Sequence, residues 1–184
     1  MLLRISLALS VLLFAPVTIG QTAPKSAYAV IIKNTGKAIG SATLIPAEGG
    51  VRIILEVSQL APGTHAIHID SVGNCDRRDF NSAGGHFNPE RMMHGINNPK
   101  GPHAGDLTNI EVGPSGRAHA TIFAARVTLG YGSNSLFHEG GTSLVIDEKA
   151  DDNKTDPTGN SGSRIACGVI QKRADSLTES DVHP

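Results

Sequence analysis

Short β-prone runs separated by turn residues constrain the fold of this 184-residue chain more than any other feature of its sequence. Most of the runs are rich in Val, Ile, Ala and Thr, and Gly, Pro or Asn residues separate them. No long stretch shows the apolar period of an amphipathic helix. The runs cover residues 27–33, 39–45, 51–57, 64–69, 111–112, 118–127, 143–146 and 165–170. This series of short strands predicts an all-β sandwich or barrel.

Two long segments interrupt the series of strands. Residues 75–107 are rich in Gly, Pro, Asn and His, and residues 147–163 are polar and rich in Asp, Gly and Asn. Long loops in a compact β domain are usually functional or disordered. Because both segments contain residues suited to metal chemistry, we expect them to be functional loops.

Histidines are concentrated at and within the first of these segments. Five of the eight lie between positions 65 and 103, namely His65, His68, His86, His94 and His103. Imidazoles and one carboxylate are the donors of a closed four-coordinate zinc site. Such a site is predicted from His86, His94, His103 and Asp106. For any single histidine, a surface or hydrogen-bonding role stays open.

The N-terminal segment has the pattern of a secretory signal peptide. A basic start at residues 1–4 precedes an almost wholly apolar run at 5–17, and a small-residue cleavage context follows at 18–20. The apolar run is too short to span the roughly 30 Å hydrocarbon core of a bilayer. We therefore predict a cleaved signal peptide at residues 1–20, export to a periplasmic or extracellular compartment, and no stable membrane span.

Net charge indicates which partners the chain can attract, and cysteine content indicates the redox state of its compartment. The formal net charge of −1 gives no electrostatic basis for a nucleic-acid partner. Cys75 and Cys167 are an even, widely separated pair, which in an exported chain predicts one disulfide rather than two buried thiols. In the chain-entropy model a disulfide that closes so long a loop contributes about 4–5 kcal/mol. The polar residues 173–184 are expected to form a frayed C-terminal tail.

Longer motifs in both loops resemble those of copper–zinc superoxide dismutases. The motifs similar to the zinc loop of that family are Gly84-Gly85-His86-Phe87-Asn88-Pro89, His94-Gly95 and His103-Ala104-Gly105-Asp106-Leu107. Residues 147–152 and 159–170 resemble its electrostatic loop and closing strand, and the resemblance covers residues 28–170. It implies a single domain, residues 27–172, folded as an eight-stranded Greek-key β-barrel with the two loops over one face.

The resemblance also implies roles for the residues of the zinc loop. His86 is expected to bridge two metal ions, and His94, His103 and Asp106 to complete the zinc site. Asp151 matches a carboxylate that hydrogen-bonds one ligand of each metal. Outer carboxylates of this kind fix the tautomer and orientation of an imidazole ligand.

Further positions match the family outside the zinc ligands. Cys75 and Cys167 match its intrachain disulfide, and His65 matches a histidine that binds no metal. Arg164 matches the catalytic arginine that attracts and orients superoxide, the substrate. The family includes monomers and differently assembled dimers, so a homodimer stays open.

The sequence departs from the family at two of the four copper-binding histidines. The expected H-x-H pair reads His68-Ile69-Asp70, and Asp147 replaces a histidine at the start of the electrostatic loop. The altered redox-metal position therefore offers His68, Asp70, His86 and Asp147. Carboxylates disfavour Cu(I), and two more negative charges weaken the attraction for a superoxide anion. Mixed His and Asp donors suit Fe, Mn or a second Zn.

Three interpretations follow from this departure. The first is a superoxide dismutase, an oxidoreductase, that binds zinc and uses Fe or Mn, or Cu inefficiently, at the altered position. The second is a non-catalytic periplasmic protein that keeps zinc for stability. The third is a hydrolase with two bridged zinc ions. Retention of Arg164 and Asp151 places the first interpretation ahead of the second.

Overall fold

The computed structural model describes residues 23–173, which form ten β-strands and one 3₁₀ turn. The strands are β1 (Ala27–Lys33), β2 (Ala38–Ala47), β3 (Gly50–Val57), β4 (Gly63–His65), β5 (Ile67–Asp70), β6 (Ile110–Val112), β7 (Ala118–Ala124), β8 (Ser143–Asp147), β9 (Arg164–Val169) and β10 (Gln171–Lys172), and the 3₁₀ turn covers Asn81–Ala83. Within residues 23–173, no helix has the length and apolar character needed to cross a bilayer. The predicted signal peptide, and the predicted tail beyond residue 173, lie outside the described residues.

One antiparallel sheet carries most of the fold. Its strand order is β5-β8-β9-β1-β2-β3-β7, with β10 also paired to β1, while β4 and β6 pair with each other. Several neighbours in the sheet are not consecutive in the chain, such as β3 with β7 and β5 with β8. Such crossovers are typical of Greek-key connections. The predicted all-β Greek-key architecture is confirmed.

The strand boundaries differ from the sequence prediction where the backbone changes partner. Ala66 separates β4 from β5 and donates its N–H to Lys149 O, while Ile170 separates β9 from β10 and donates to Thr142 O. Joining each interrupted pair reduces ten strands to the expected eight. The β7 strand ends at Ala124, short of the predicted residue 127, because its pairing with β3 ends there.

Alternating burial along the strands builds the core. In β3 the buried residues are Val51, Ile53, Leu55 and Val57. The side chains of Arg52 and Glu56 point to solvent between them. Burying each such aliphatic side chain stabilises the fold by about 1.5–3 kcal/mol. The sheet is therefore a rigid support for the two long loops.

A disulfide fastens the first long loop to this support. Cys75 lies near the start of the loop and Cys167 lies in β9, with 5.8 Å between their Cα atoms and 92 residues between them in sequence. The bond packs against the buried residues Phe80, Ala83 and Val145. The predicted pairing is confirmed, and it anchors the segment that precedes His86.

Candidate metal centre

Three backbone hydrogen bonds clamp the first long loop, residues 71–109, onto β5. Ile69 N donates to Gly105 O at 2.9 Å, Phe87 N donates to Ile69 O at 2.8 Å, and Gly105 N donates to Phe87 O at 2.8 Å. Each of these three residues is next to a candidate ligand in the chain. Ile69 lies between His68 and Asp70, Gly105 precedes Asp106, and Phe87 follows His86. The clamp therefore fixes three separate stretches of chain around one point.

The four predicted zinc ligands converge at that point. The Nδ1 atoms of His86, His94 and His103 lie 2.9, 3.0 and 3.3 Å from Asp106 Oδ1. Nδ1 of His103 also lies 3.4 Å from Nδ1 of His86. All four side chains are more than nine-tenths buried.

These separations fit a coordination polyhedron better than a set of hydrogen bonds. One carboxylate oxygen faces three imidazole nitrogens, and two of those nitrogens also face each other. A tetrahedron with bonds of about 2.0–2.1 Å to zinc has edges of about 3.3–3.4 Å. The donor set is therefore compatible with a zinc ion.

His68 lies directly beside this set. His68, His86, His94 and Asp106 each place one donor atom within 4.8 Å of the others. The rings of His68 and His86 stack with 3.8 Å between centroids. That grouping includes His68 in place of His103. Nδ1 of His103 nevertheless lies 3.3 Å from Asp106 Oδ1 and 3.4 Å from His86 Nδ1, so both histidines adjoin the same donors.

Burial and neighbouring charges shift the pKa values of three of the predicted zinc ligands. Burial lowers the pKa of His86 to about 4 despite its hydrogen bond to Asp106, so this imidazole is neutral. Burial raises the pKa of Asp106, but hydrogen bonds from His103, His86 and His94 outweigh it and hold that pKa well below its usual value. Burial lowers the pKa of His94, yet Asp106 and Asp151 raise it overall to about 9. The two carboxylates thus favour the protonated form of His94, which a metal ion would compete with.

Asp151 links the two halves of the centre. Its Oδ1 lies 3.0 Å from His94 Nε2, and its Oδ2 lies 3.0 Å from His68 Nε2. Asn109 holds it in place through paired hydrogen bonds to its backbone. Burial raises the pKa of Asp151, but the bonds to His68 and His94 outweigh it and lower that pKa. The structure thus brings Asp151 to the two histidines that the resemblance implies.

At the altered position, His68 is held between two carboxylates. Its Nδ1 lies 3.1 Å from Asp147 Oδ2, on the opposite side of the ring from Asp151. Burial lowers the pKa of His68, but the bonds and charges of Asp147 and Asp151 raise it overall to about 9. In the metal-free protein His68 is therefore a buried cation paired with both carboxylates.

Arg164 and Asp70 form a second pair at the same position. Arg164 Nη2 lies 2.9 Å from Asp70 Oδ2, and the guanidinium also donates to the carbonyl oxygens of Phe80 and Gly84. Asp70 is 1% exposed, and neither of its carboxylate oxygens accepts a well-directed hydrogen bond from the described part of the chain. The contact is an ion pair by distance alone. Burial raises the pKa of Asp70 to about 7, although the charges of Arg164 and His68 oppose this.

The donors at the altered position do not fit a copper ion that must cycle between two oxidation states. Two imidazoles, His68 and His86, remain, and Asp70 faces Arg164. The hard carboxylate Asp147 faces the Nδ1 atom of His68. Such a mixed set is compatible with Fe, Mn or Zn.

Two other residues near the centre are clarified by the structure. Both ring nitrogens of His65 contact backbone carbonyls at 2.8 Å, those of Asp147 and Ala61, as suits a histidine that binds no metal. Asp156 was missed by sequence reasoning. Its Oδ1 accepts a 2.6 Å hydrogen bond from His94 N and lies 3.9 Å from His103 Nε2.

Gly105 leads to a prediction about the clamp. A Cβ at this position would lie 2.1 Å from Ile69 O and 2.9 Å from Phe87 N, both backbone atoms. We expect Gly105→Ala to lower the free energy of unfolding by about 1–3 kcal/mol. It should also weaken zinc retention, as measured by denaturation with and without zinc. Gly85→Ala is the matched control, because a Cβ there meets nothing within 4 Å. Equal losses in the two variants would contradict the role of the clamp.

The Greek-key sheet and its His/Asp cluster define a β-barrel metalloprotein, and comparison with known sequences identifies the family. Residues 38–170 match the family model described as copper/zinc superoxide dismutase (SODC). The chain belongs to the copper/zinc superoxide dismutase family.

Individual relatives agree with this assignment. Superoxide dismutase (Cu-Zn) 1 of Aquifex aeolicus is 50% identical over 146 residues, covering 78% of this chain and 86% of its own. The superoxide dismutase-like protein YojM of Bacillus subtilis is 40% identical over 153 residues, covering 82% and 78%. The crystal structure of a SOD-like protein from Bacillus subtilis aligns with a TM-score of 0.75 at 40% identity, covering 77% of this chain and 95% of that one.

Proposed function

We propose that this protein is an exported, zinc-binding member of the family that does not dismute superoxide with copper. One observation carries the proposal: residues of the site itself engage both substituted carboxylates. Asp147 is paired with His68, and Asp70 is paired with Arg164. The geometry therefore favours the second sequence-based interpretation over the first.

The zinc part of the proposal rests on the convergence of four buried donors. The ion would be held by Nδ1 of His86, His94 and His103 and by Oδ1 of Asp106. Zinc has no redox chemistry, so at a closed four-ligand site it supplies folding energy. Here the ion would connect distant parts of the first long loop, at His86, His94 and His103, beside β5.

Two features argue against copper chemistry at the altered position: its ligands and the charge beside Arg164. Copper cycling needs donors that accept both Cu(I) and Cu(II), and hard carboxylates disfavour the first. The cation that would attract superoxide, Arg164, already faces the carboxylate of Asp70 at 2.9 Å. When Asp70 is ionised, its negative charge cancels much of the attraction that the guanidinium exerts on an anion.

A dismutase that uses iron or manganese is the second candidate. The specific observation in its favour is the 3.1 Å separation of His68 Nδ1 and Asp147 Oδ2. That distance also fits two donors that share one metal ion. Mixed imidazole and carboxylate donors suit both metals, and Arg164 remains beside the position.

Reconstitution of the apoprotein separates these candidates. We expect about one equivalent of zinc to bind tightly. Addition of copper, iron or manganese to the zinc form should then give no superoxide consumption above that of the free ion, measured by stopped-flow. Activity with iron or manganese alone would support the second candidate. Rapid consumption with copper would contradict the proposal.

Export is part of the same proposal. It is supported by the signal-like sequence of residues 1–20 and by the Cys75–Cys167 disulfide, which suits an oxidising compartment. N-terminal sequencing of protein recovered outside the cytoplasm should begin close after residue 20. An intact N-terminus on that protein would contradict cleavage.

A further inference from the structure

We infer that Asp156 is a positioning residue for the zinc ion, acting through two of the zinc ligands rather than as a ligand itself. The inference rests on the zinc site proposed above. Asp156 lies in the second long loop, residues 148–163, whereas His94 and His103 lie in the first. Its carboxylate is therefore a contact between the two loops at the metal centre.

The first contact fixes the backbone of a ligand. Asp156 Oδ1 accepts the N–H of His94 at 2.6 Å, a short, charge-assisted hydrogen bond. A second bond joins the loops nearby, from Asn97 N to Asn153 O at 3.0 Å. Contacts from the second long loop thus fix the backbone of His94 in space, independently of the metal.

The second contact concerns the ring of His103. A histidine that faces the metal with Nδ1 presents Nε2–H on its far side. For His94 this group meets Asp151, and for His103 the Oδ1 atom of Asp156 lies 3.9 Å from Nε2. A small rotation of the Asp156 side chain would bring the two atoms within hydrogen-bond distance. A carboxylate there keeps the proton on Nε2, directs the Nδ1 lone pair to the metal and raises the basicity of the ligand.

Charge acts in the same direction as geometry. Zn²⁺ bound to one carboxylate ligand, Asp106, keeps a net positive charge. The Asp156 carboxylate is partly exposed, with 38% of its side chain accessible, and it adds a negative charge on the solvent side of the site. Asp156 therefore favours zinc retention both by orienting ligands and by its charge.

Zinc affinity of the full mature chain, measured by competition with a chelator, tests the inference. We expect Asp156→Ala to lower affinity by about 10- to 100-fold, the usual effect of losing an outer carboxylate. Asp156→Asn keeps an oxygen acceptor for His94 N–H but lacks the charge, so its loss should be smaller than that of the alanine variant. Asp156→Glu, which restores the carboxylate, should recover part of the affinity.

Asp152→Ala is the matched control. This neighbouring carboxylate orders the same loop through bonds from Lys154 N, Thr155 N, Thr155 Oγ1 and Asn160 Nδ2. None of these partners is a zinc ligand, so the variant should keep near-wild-type affinity. An equal loss in the Asp152 variant would overturn the inference, because loop order alone would then explain the effect.

A spectroscopic readout separates positioning from general stability. In zinc-loaded protein, ¹⁵N NMR should show a His103 Nε2–H that exchanges slowly with water, and Asp156→Ala should speed that exchange. Unchanged exchange and unchanged affinity in the Asp156 variants would overturn the inference while leaving the zinc site intact. A wild-type chain that binds no zinc would instead refute the proposed function, and the inference with it.

Discussion

Zinc content should fall from about one ion per chain to none when His94 and His103 are both replaced by alanine. The double variant removes two of the four donors that surround one point, and the remaining His86 and Asp106 do not form a closed site. Elemental analysis after dialysis measures the effect directly.

The same variant should lose much stability, because His94 pairs with two buried carboxylates. Its ring contacts Asp106 and Asp151, whose side chains are fully buried. Removing one partner of a buried ion pair costs about 3–5 kcal/mol. His119→Ala is the control, since the His119 side chain is 67% exposed and its ion-pair partner Glu56 is exposed as well. An unchanged zinc content in the double variant would refute the ligand assignment.

Copper binding and superoxide consumption should both rise in an Asp70→His, Asp147→His variant. The change supplies four imidazoles at the altered position and removes the carboxylate that faces Arg164. Imidazole suits copper where hard carboxylates disfavour Cu(I). Replacing a residue outside the ligand set typically changes metal affinity by about 10- to 100-fold. Because this variant changes the ligands themselves, we expect a larger gain in copper affinity. Competition titration and stopped-flow superoxide decay measure the two effects.

Single and combined variants show whether the released arginine contributes. Asp70→His alone leaves Asp147 on His68 and should give an intermediate copper affinity. Adding Arg164→Ala to the double-histidine variant should lower its rate and reduce its salt dependence, because the attracting cation is gone. In the wild-type background Arg164→Ala should have little effect on superoxide consumption, because we expect no copper-dependent activity there. A wild-type chain as active with copper as the double variant would contradict our account of the carboxylates.

The alternation of apolar and polar residues made the strands predictable from sequence. It did not predict where a strand is interrupted because its backbone changes hydrogen-bond partner. The alternation of Val51, Ile53 and Leu55 along β3 identifies a half-buried strand without tertiary information. The breaks at Ala66 and Ile170 arise because their N–H groups bond to Lys149 and Thr142, which are distant in sequence. A period-2 pattern contains no trace of such bonds.

The metal centre divides in the same way. Motif spacing predicted the four residues that converge on Asp106 Oδ1, and it also showed that aspartates replace two histidines. The pairing of Asp70 with Arg164 was not visible, because the two residues meet only when β5 and β9 are placed in the sheet. Asp156 was hidden among several aspartates of one polar loop, and its contacts with His94 N and His103 Nε2 appear only in the folded structure.

The metal content of the mature protein, purified from its own compartment in cells supplied with both copper and zinc, tests the central claim most directly. Elemental analysis should find about one zinc and no copper per chain, because within residues 23–173 the donors around Asp106 fit a closed site for a divalent ion. Stoichiometric copper in that protein would contradict the account.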